Sequence, residues 1–224
     1  MHYAKIKYRT IENGEGIRIS LFVSGCNLRC KGCHNAQAWD FSYGNEFTEE
    51  TEKEIIDFAK DNSYISGLTI LGGEPFDPRN QEILAKFAKR FKEETNKSVW
   101  CYTGYVLEKD LLADNGRAHT QYTKDFLNSI DVLIDGPFDI DQRDLTLPFR
   151  GSRNQRILKL KDFNLEKADE IKISGIFNGW TADDEPIHHI EDTLYEVELV
   201  LSEGTYEYKY LIDNEWYPKN ENLK

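Results

Sequence analysis

At 224 residues, 39% of them hydrophobic, the chain is long enough to bury one large core or two small ones, which excludes a wholly disordered polypeptide. With 40 acidic against 28 basic residues, a formal net charge of -12 excludes the broad basic face that nucleic acid or an anionic membrane demands, so partners are expected among proteins and small molecules. The sequence has no apolar run near the roughly 18 residues of a membrane span, and Met1-His2-Tyr3-Ala4-Lys5 contains no apolar signal core; a cytoplasmic protein is expected.

Strand-like and helix-like segments alternate through the first two thirds of the chain, the pattern of a parallel sheet flanked by helices. Arg18 to Val23 reads as a first strand running into a cysteine-rich loop. Thr48 is placed to cap a helix reaching Lys60, with Ile55, Ile56 and Ala59 facing inward. Leu68 to Leu71 forms a short apolar strand that ends at Gly72-Gly73. A second helix from about Asn80 to Glu94 carries Ile83, Leu84, Phe87, Ala88 and Phe91 on one stripe. Strands follow at Ser98 to Tyr102 and Val132 to Asp135, and in such sheets ligands bind beyond the strands' carboxyl ends.

Beyond a charged connector at 161–170 the pattern changes to short alternating strands: Ile171 to Phe177, Leu194 to Leu201 and Tyr206 to Ile212, with a hairpin-like turn at Ser202-Glu203-Gly204-Thr205. Charge changes at the same place. From Glu166 to Lys224 there are fifteen acidic and five basic residues, a balance of -10, which leaves -2 for residues 1–165. The expected fold is α/β, a partial (β/α) barrel with a parallel sheet over 1–160, plus a small C-terminal all-β immunoglobulin-like sandwich over 171–224.

Of the four cysteines, three stand within eight residues, as Cys26-Asn27-Leu28-Arg29-Cys30-Lys31-Gly32-Cys33. A disulfide scaffold would spread them to staple distant segments, so the trio reads as a metal site. Three thiolates can hold three irons of a 4Fe-4S cubane and leave the fourth open to a ligand. A Cys3His zinc site using His34 stays open as the alternative, although His34 directly follows Cys33 and joint ligation there is awkward. Cys101 lies in an apolar strand and is expected to pack.

Five motifs in order carry a family resemblance: Phe22 through Asn35 with Trp39, Gly72-Gly73-Glu74-Pro75, Trp100 through Tyr105, Asp135-Gly136-Pro137-Phe138, and Arg150 through Gln155. Together they resemble the radical S-adenosylmethionine activases of anaerobic (class III) ribonucleotide reductase, over essentially residues 1–160. The resemblance implies a 4Fe-4S cluster on Cys26, Cys30 and Cys33, with S-adenosylmethionine chelating the open iron. It also implies that Gly72, Gly73 and Glu74 meet the methionine moiety, Glu74 accepting from its ammonium, and that Gly32, Cys33 and His34 line the adenine side. The implied partners are the reductase large subunit, whose glycine loses a hydrogen atom, and a flavodoxin- or ferredoxin-like electron donor. Asp135 and Arg150 belong on the same rim without an assigned role, and the loop Tyr105 to Thr120 is a candidate protein contact. An activase of another glycyl radical enzyme, of the pyruvate formate-lyase type, and a degenerate cluster protein acting as a binding module are the alternatives.

Residues 171–216 carry a second resemblance, through Ile173 to Trp180, Leu201 to Tyr210 and Asp213 to Trp216, to glycogen-binding modules of the isoamylase N-domain and AMP-activated kinase β type. That family meets sugar rings with two tryptophans and a lysine, matched here by Trp180, Trp216 and Lys209. The chain stops before the family's last strand, and the acidic run Asp183 to Glu185 has no glucan rationale. A docking or stabilising role is therefore expected, with glycan binding the alternative. His188-His189 reads as a solvated loop pair.

Overall fold

The computed structural model describes residues 1–162, 171–180, 188–191, 194–196, 201–202, 204–205, 207–212 and 215–217. Most of the connector, the acidic run Asp183 to Glu185 and the expected strand beyond Glu196 lie outside them. The chain divides into two compact units, 1–160 and 161–224.

The first unit is built on one sheet of seven strands. They are β1 (His2–Thr10), β2 (Ile17–Val23), β3 (Asn45–Glu46), β4 (Ile65–Gly72), β5 (Ser98–Tyr102), β6 (Val132–Asp135) and β7 (Arg156–Lys159), in the order β3-β1-β2-β4-β5-β6-β7. The four central strands β2, β4, β5 and β6 are parallel; β1 and β7 flank them antiparallel, and the two-residue β3 pairs antiparallel with β1 on its outer side. The expected parallel sheet is present in the four central strands, and the sheet as a whole is mixed. β1, covered by β3 only at His2 and Tyr3, alternates exposed Lys5, Lys7 and Arg9 with half-buried Ile6 and Tyr8, a charged fringe of the kind that disfavours further strand pairing.

Helices α1 (Glu49–Asp61), α2 (Pro78–Thr95) and α3 (Thr123–Asn128) supply the crossovers. Thr48 Oγ1 accepts from the Thr51 amide at the start of α1, which buries Ile55, Ile56 and Ala59. Asp77 caps α2, Pro78 occupies its first turn, and Leu84, Phe87, Ala88 and Phe91 face the core. Because β2, β4, β5 and β6 share a direction, Val23, Gly72, Tyr102 and Asp135 all end on one rim.

At the opposite end of the sheet Arg18 is 1% exposed. Its guanidinium donates to Thr69 Oγ1, Leu68 O, Ser98 O, Ser98 Oγ and Glu15 O, clamping β2, β4 and β5 together, and it lies 5.2 Å from the Trp100 ring. Burial pulls its pKa down to about 10, so it is still protonated at neutral pH.

In the second unit, β8 (Ile171–Gly175), β11 (Tyr208–Ile212) and β12 (Glu215–Tyr217) form a three-stranded antiparallel sheet. β9 (His188–Glu191) pairs antiparallel with β10 (Leu194–Glu196). His188 and His189 therefore sit in a strand, not a loop; a four-residue strand is too short to declare itself by alternation. No helix among the described residues is long and apolar enough to cross a membrane.

Arg18→Met is expected to lower unfolding stability by about 3 kcal/mol, because it strips donors from two buried carbonyls and two hydroxyls at once. Urea unfolding followed by far-ultraviolet circular dichroism checks this; a variant of wild-type stability would contradict the clamp.

Candidate active site

The cysteine loop leaves the carboxyl end of β2 and is laced to its neighbours through backbone bonds. Gly25 N donates to Ala38 O (2.8 Å) and Cys26 N to Trp39 O (3.1 Å), which folds the short helix Ala36–Trp39 back under the loop. From the other side Gly73 N donates to Val23 O (2.7 Å) and Glu74 N to Gly25 O (2.8 Å). Gly72 (φ +115°) and Gly73 are glycine for this reason. A Cβ at Gly72 would stand 2.7 Å from the Val23 backbone, and one at Gly73 2.6 Å from Gly25 O. The close approach expected of this Gly-Gly pair is made, in the first instance, by the protein's own loop.

Cys26 is buried, Cys30 and Cys33 are half-buried, and all three are free thiols facing one cavity of about 280 Å³. Leu28, His34, Gly72, Gly73, Glu74 and Trp39 line the same space, with Tyr102, Gly136, Phe138 and Gln155 across from them. His34 is exposed, its ring 6.1 Å from that of Phe138, and exposed Gly32 packs toward Ile140 on the same loop as Phe138. Burial pushes the Cys26 thiol up to about 11 and raises Cys30 as well, so ionising them calls for a cation that repays the lost hydration.

The donor set fits a cluster better than a single ion. Among the described residues no three His, Cys, Asp or Glu side chains converge closely enough to hold one metal ion, yet three thiols face a shared cavity. A cubane takes its thiolates at separate corners and suits that spread. The buried indole N–H of Trp39 has no acceptor within the protein and stands at the same wall, ready for one on an incoming group. Cys101 is fully buried in β5, with its pKa raised well above the ordinary thiol value by burial, and it is not among the cavity residues.

Glu74 is 1% exposed and forms no ion pair with any described residue. Its carboxylate accepts from Thr103 Oγ1 (2.7 Å), Gly104 N (2.8 Å) and Phe76 N (2.9 Å). Burial raises its pKa to about 7 in spite of those donors. Thr103 and Gly104 were not evident as partners in the sequence, because the link depends on β4 and β5 lying side by side. A buried acceptor with its donors on one side and a cavity on the other is a site for a cation.

On the far rim Asp135, fully buried, accepts from Arg156 Nε (2.9 Å) and Nη2 (2.5 Å) and from the Leu107 amide. Arg156 also grips Glu108 through both terminal nitrogens. Arg150 takes no part; its Nη1 donates to Gln155 O. Gln155 fastens the rim loop, its Oε1 accepting from Gly151 N and Ser152 N while Nε2 donates to Gly136 O. In the second unit Trp180 is 44% exposed with φ +63°, and half-buried Lys209 pairs with Ser174. Trp216 is in register with Leu211, two residues along β11 from Lys209.

Glu74 sets a pH dependence whose sign is fixed. A carboxyl with its folded pKa raised from the ordinary 4.5 to about 7 holds its proton more tightly when folded, so stability is greatest below 4.5 and falls as pH rises through 7. In cluster-free protein, wild type should lose stability relative to Glu74→Gln between pH 5 and pH 8; parallel thermal melts of the two would contradict this.

Residues 12–158 match the family described as a 4Fe-4S single cluster domain, and residues 163–223 match the glycogen recognition site of AMP-activated protein kinase. The first unit is similar to proteins called anaerobic ribonucleoside-triphosphate reductase-activating protein. The Pasteurella multocida protein is 42% identical over 165 residues, 73% of this chain and 100% of that relative. The Haemophilus influenzae protein is 43% identical over 72% of this chain and 99% of its own length, and that of Enterobacteria phage T4 is 36% identical over 70% and 93%. With these matches and a three-thiol cavity of the matching chemistry, the chain belongs to the family of anaerobic ribonucleoside-triphosphate reductase-activating proteins.

Proposed function

We propose that this protein generates a glycyl radical on the large subunit of anaerobic ribonucleoside-triphosphate reductase, using a 4Fe-4S cluster and S-adenosylmethionine. The observation that carries the reading is a single cavity that brings together Cys26, Cys30, Cys33 and the buried carboxylate of Glu74. When bound, the cluster and S-adenosylmethionine supply the electron and the sulfonium whose reductive cleavage gives methionine and a 5′-deoxyadenosyl radical, which takes a hydrogen atom from the glycine α-carbon.

The chain's own residues bind, orient and exclude water. Cys26, Cys30 and Cys33 are proposed as the iron ligands, leaving one iron for the amino and carboxylate groups of S-adenosylmethionine. Glu74, held by Thr103 and Gly104, would accept an N–H from the methionyl amino group, giving the buried carboxylate a donor on its cavity side. Gly72 and Gly73 would border that moiety, with Gly32, Cys33 and His34 on the adenine side. No side chain is required as acid or base; the protein supplies position and a dry cavity while the cofactors carry the chemistry.

An incomplete barrel gathering its strand ends around the cavity, and a C-terminal sandwich, complete this reading. The electron donor is proposed to be flavodoxin- or ferredoxin-like, and the compartment the cytoplasm, where thiols stay reduced. For the second unit we propose docking or stabilisation, with glycan contact through Trp180, Lys209 and Trp216 as the competing reading, supported by the exposure of Trp180 and by the pairing of Trp216 with Leu211, two residues along β11 from Lys209.

Anaerobic reconstitution is expected to give a brown protein with about four irons that cleaves S-adenosylmethionine on reduction. Cys26→Ala, Cys30→Ala and Cys33→Ala should each abolish the cleavage; a colourless protein that retains only zinc would overturn the reading. Deleting residues 163–224 should leave S-adenosylmethionine cleavage unchanged, since relatives matched over their whole length span only about the first unit. Cleavage lost in a folded truncation would contradict that separation.

A further inference from the structure

The cavity is reached past a loop the proposed chemistry does not use. Residues 137–155 form a tongue between β6 and β7 whose root lines the cavity through Phe138 and Gln155 and whose outer end is Leu145. The tongue is firmly built. Arg143 and Ser152 bridge its two limbs, Asp144 N donates to Gly151 O (3.1 Å) and Arg153 N to Gln142 O (3.0 Å), and Arg153 pairs with Asp144 (3.1 Å). Asp144 Oδ1 also accepts from the amide and the hydroxyl of Thr146, which closes the turn at the tip. Phe149, in the left-handed region at φ +57°, drives its ring edge-on against Trp100 and anchors the returning limb in the sheet core.

All this order presents an apolar end to solvent. Leu145 is 77% exposed, the most exposed large hydrophobic side chain among the described residues, with exposed Pro148 and half-buried Leu147 beside it. A lone surface leucine needs no explanation. A leucine at the tip of a hydrogen-bonded tongue whose root residues Phe138 and Gln155 line the cavity does. The other candidate contact, Tyr105 to Thr120, offers nothing comparable. Its exposed residues are polar (Lys109, Asp114, Asn115, Arg117, His119), and Arg117 is held by buried Asp110 through two hydrogen bonds.

We infer that the tip of this tongue, Leu145 with Leu147 and Pro148, is the docking surface for the glycine-bearing protein substrate. The inference rests on the activase reading, because only a macromolecular substrate must cover the cavity mouth while delivering a glycine into it. The tongue itself selects this occupant: its root lines the cavity and its tip is exposed, so a protein that inserts a loop past Phe138 lies against it. Burying one leucine in a pocket of the partner is the size of contact that anchors interfaces.

The test compares the full chain with Leu145→Asp, Leu145→Met and Ile11→Asp. Ile11 is 73% exposed in the β1–β2 turn at the opposite end of the sheet. For each, S-adenosylmethionine cleavage is measured with chemical reductant and no reductase, and then the concentration of reductase giving half-maximal glycyl radical yield. Leu145→Asp should cleave S-adenosylmethionine at the wild-type rate but need roughly tenfold more reductase or beyond, the loss expected of an interface anchor. Leu145→Met and Ile11→Asp should match wild type in both. A wild-type concentration dependence for Leu145→Asp, or an equal loss in Ile11→Asp, overturns the docking surface. Failure of the wild-type protein to cleave S-adenosylmethionine overturns the activase reading, and the docking proposal with it.

Discussion

A carboxylate buried with no basic side chain beside it is the constraint around which the first unit is arranged. Glu74 sits at the end of β4, where its backbone amide binds the cysteine loop and its side chain is gripped by the residues that follow β5. One residue therefore fixes the relative position of β2, β4 and β5 at their carboxyl ends. Left unmatched, the buried charge is unfavourable, as its pKa of about 7 records; a bound group that donates N–H to it would reduce that penalty. Two of the thiols, Cys26 and Cys30, stand in a similar position, desolvated and reluctant to ionise until a cationic cluster compensates them. Cavity and cofactors, in the proposed reading, each lower the cost carried by the other.

The two ends of the sheet divide the work. At one end Arg18 ties β2, β4 and β5 through five hydrogen bonds and no carboxylate, a purely structural clamp. At the other the same strands release the loops that surround the cavity. Arg156 plays the complementary part on the far rim, holding β6 to the start of the segment after Tyr105 through Asp135 and Glu108. Rigid strand ends and a braced rim allow the loops to be placed accurately without being covered by the sheet.

How much of this was legible in the sequence depended on whether the signal was local. The capped helix after Thr48, the apolar stripe of α2, β5 and β6 were visible because hydrophobic period and turn chemistry speak within a few residues. The cysteine spacing and the Gly72-Gly73-Glu74 turn pointed to the candidate site for the same reason, and the structure places these residues around one cavity. Hidden from the sequence were β1, whose exposed lysines interrupt any apolar run, and β7, too short to show a period. Hidden too were all the long-range pairings: Glu74 with Thr103, Asp135 with Arg156, Gln155 with Gly136. Each joins residues that only the strand order brings together, so Arg150 drew attention while Arg156, the residue that pairs with Asp135, did not.

The second unit carries its own match to a glycogen recognition site and its own exposed tryptophan, while the proposed chemistry lies in the first. Everything proposed for the first unit converges on one product, a radical on a partner protein. The most direct test is electron paramagnetic resonance of anaerobic ribonucleotide reductase after incubation with the reduced, reconstituted protein and S-adenosylmethionine. A glycyl radical doublet that appears with wild type and is absent with Cys30→Ala is the expected result; a reductase that stays silent beside wild-type protein that is cleaving S-adenosylmethionine would contradict it.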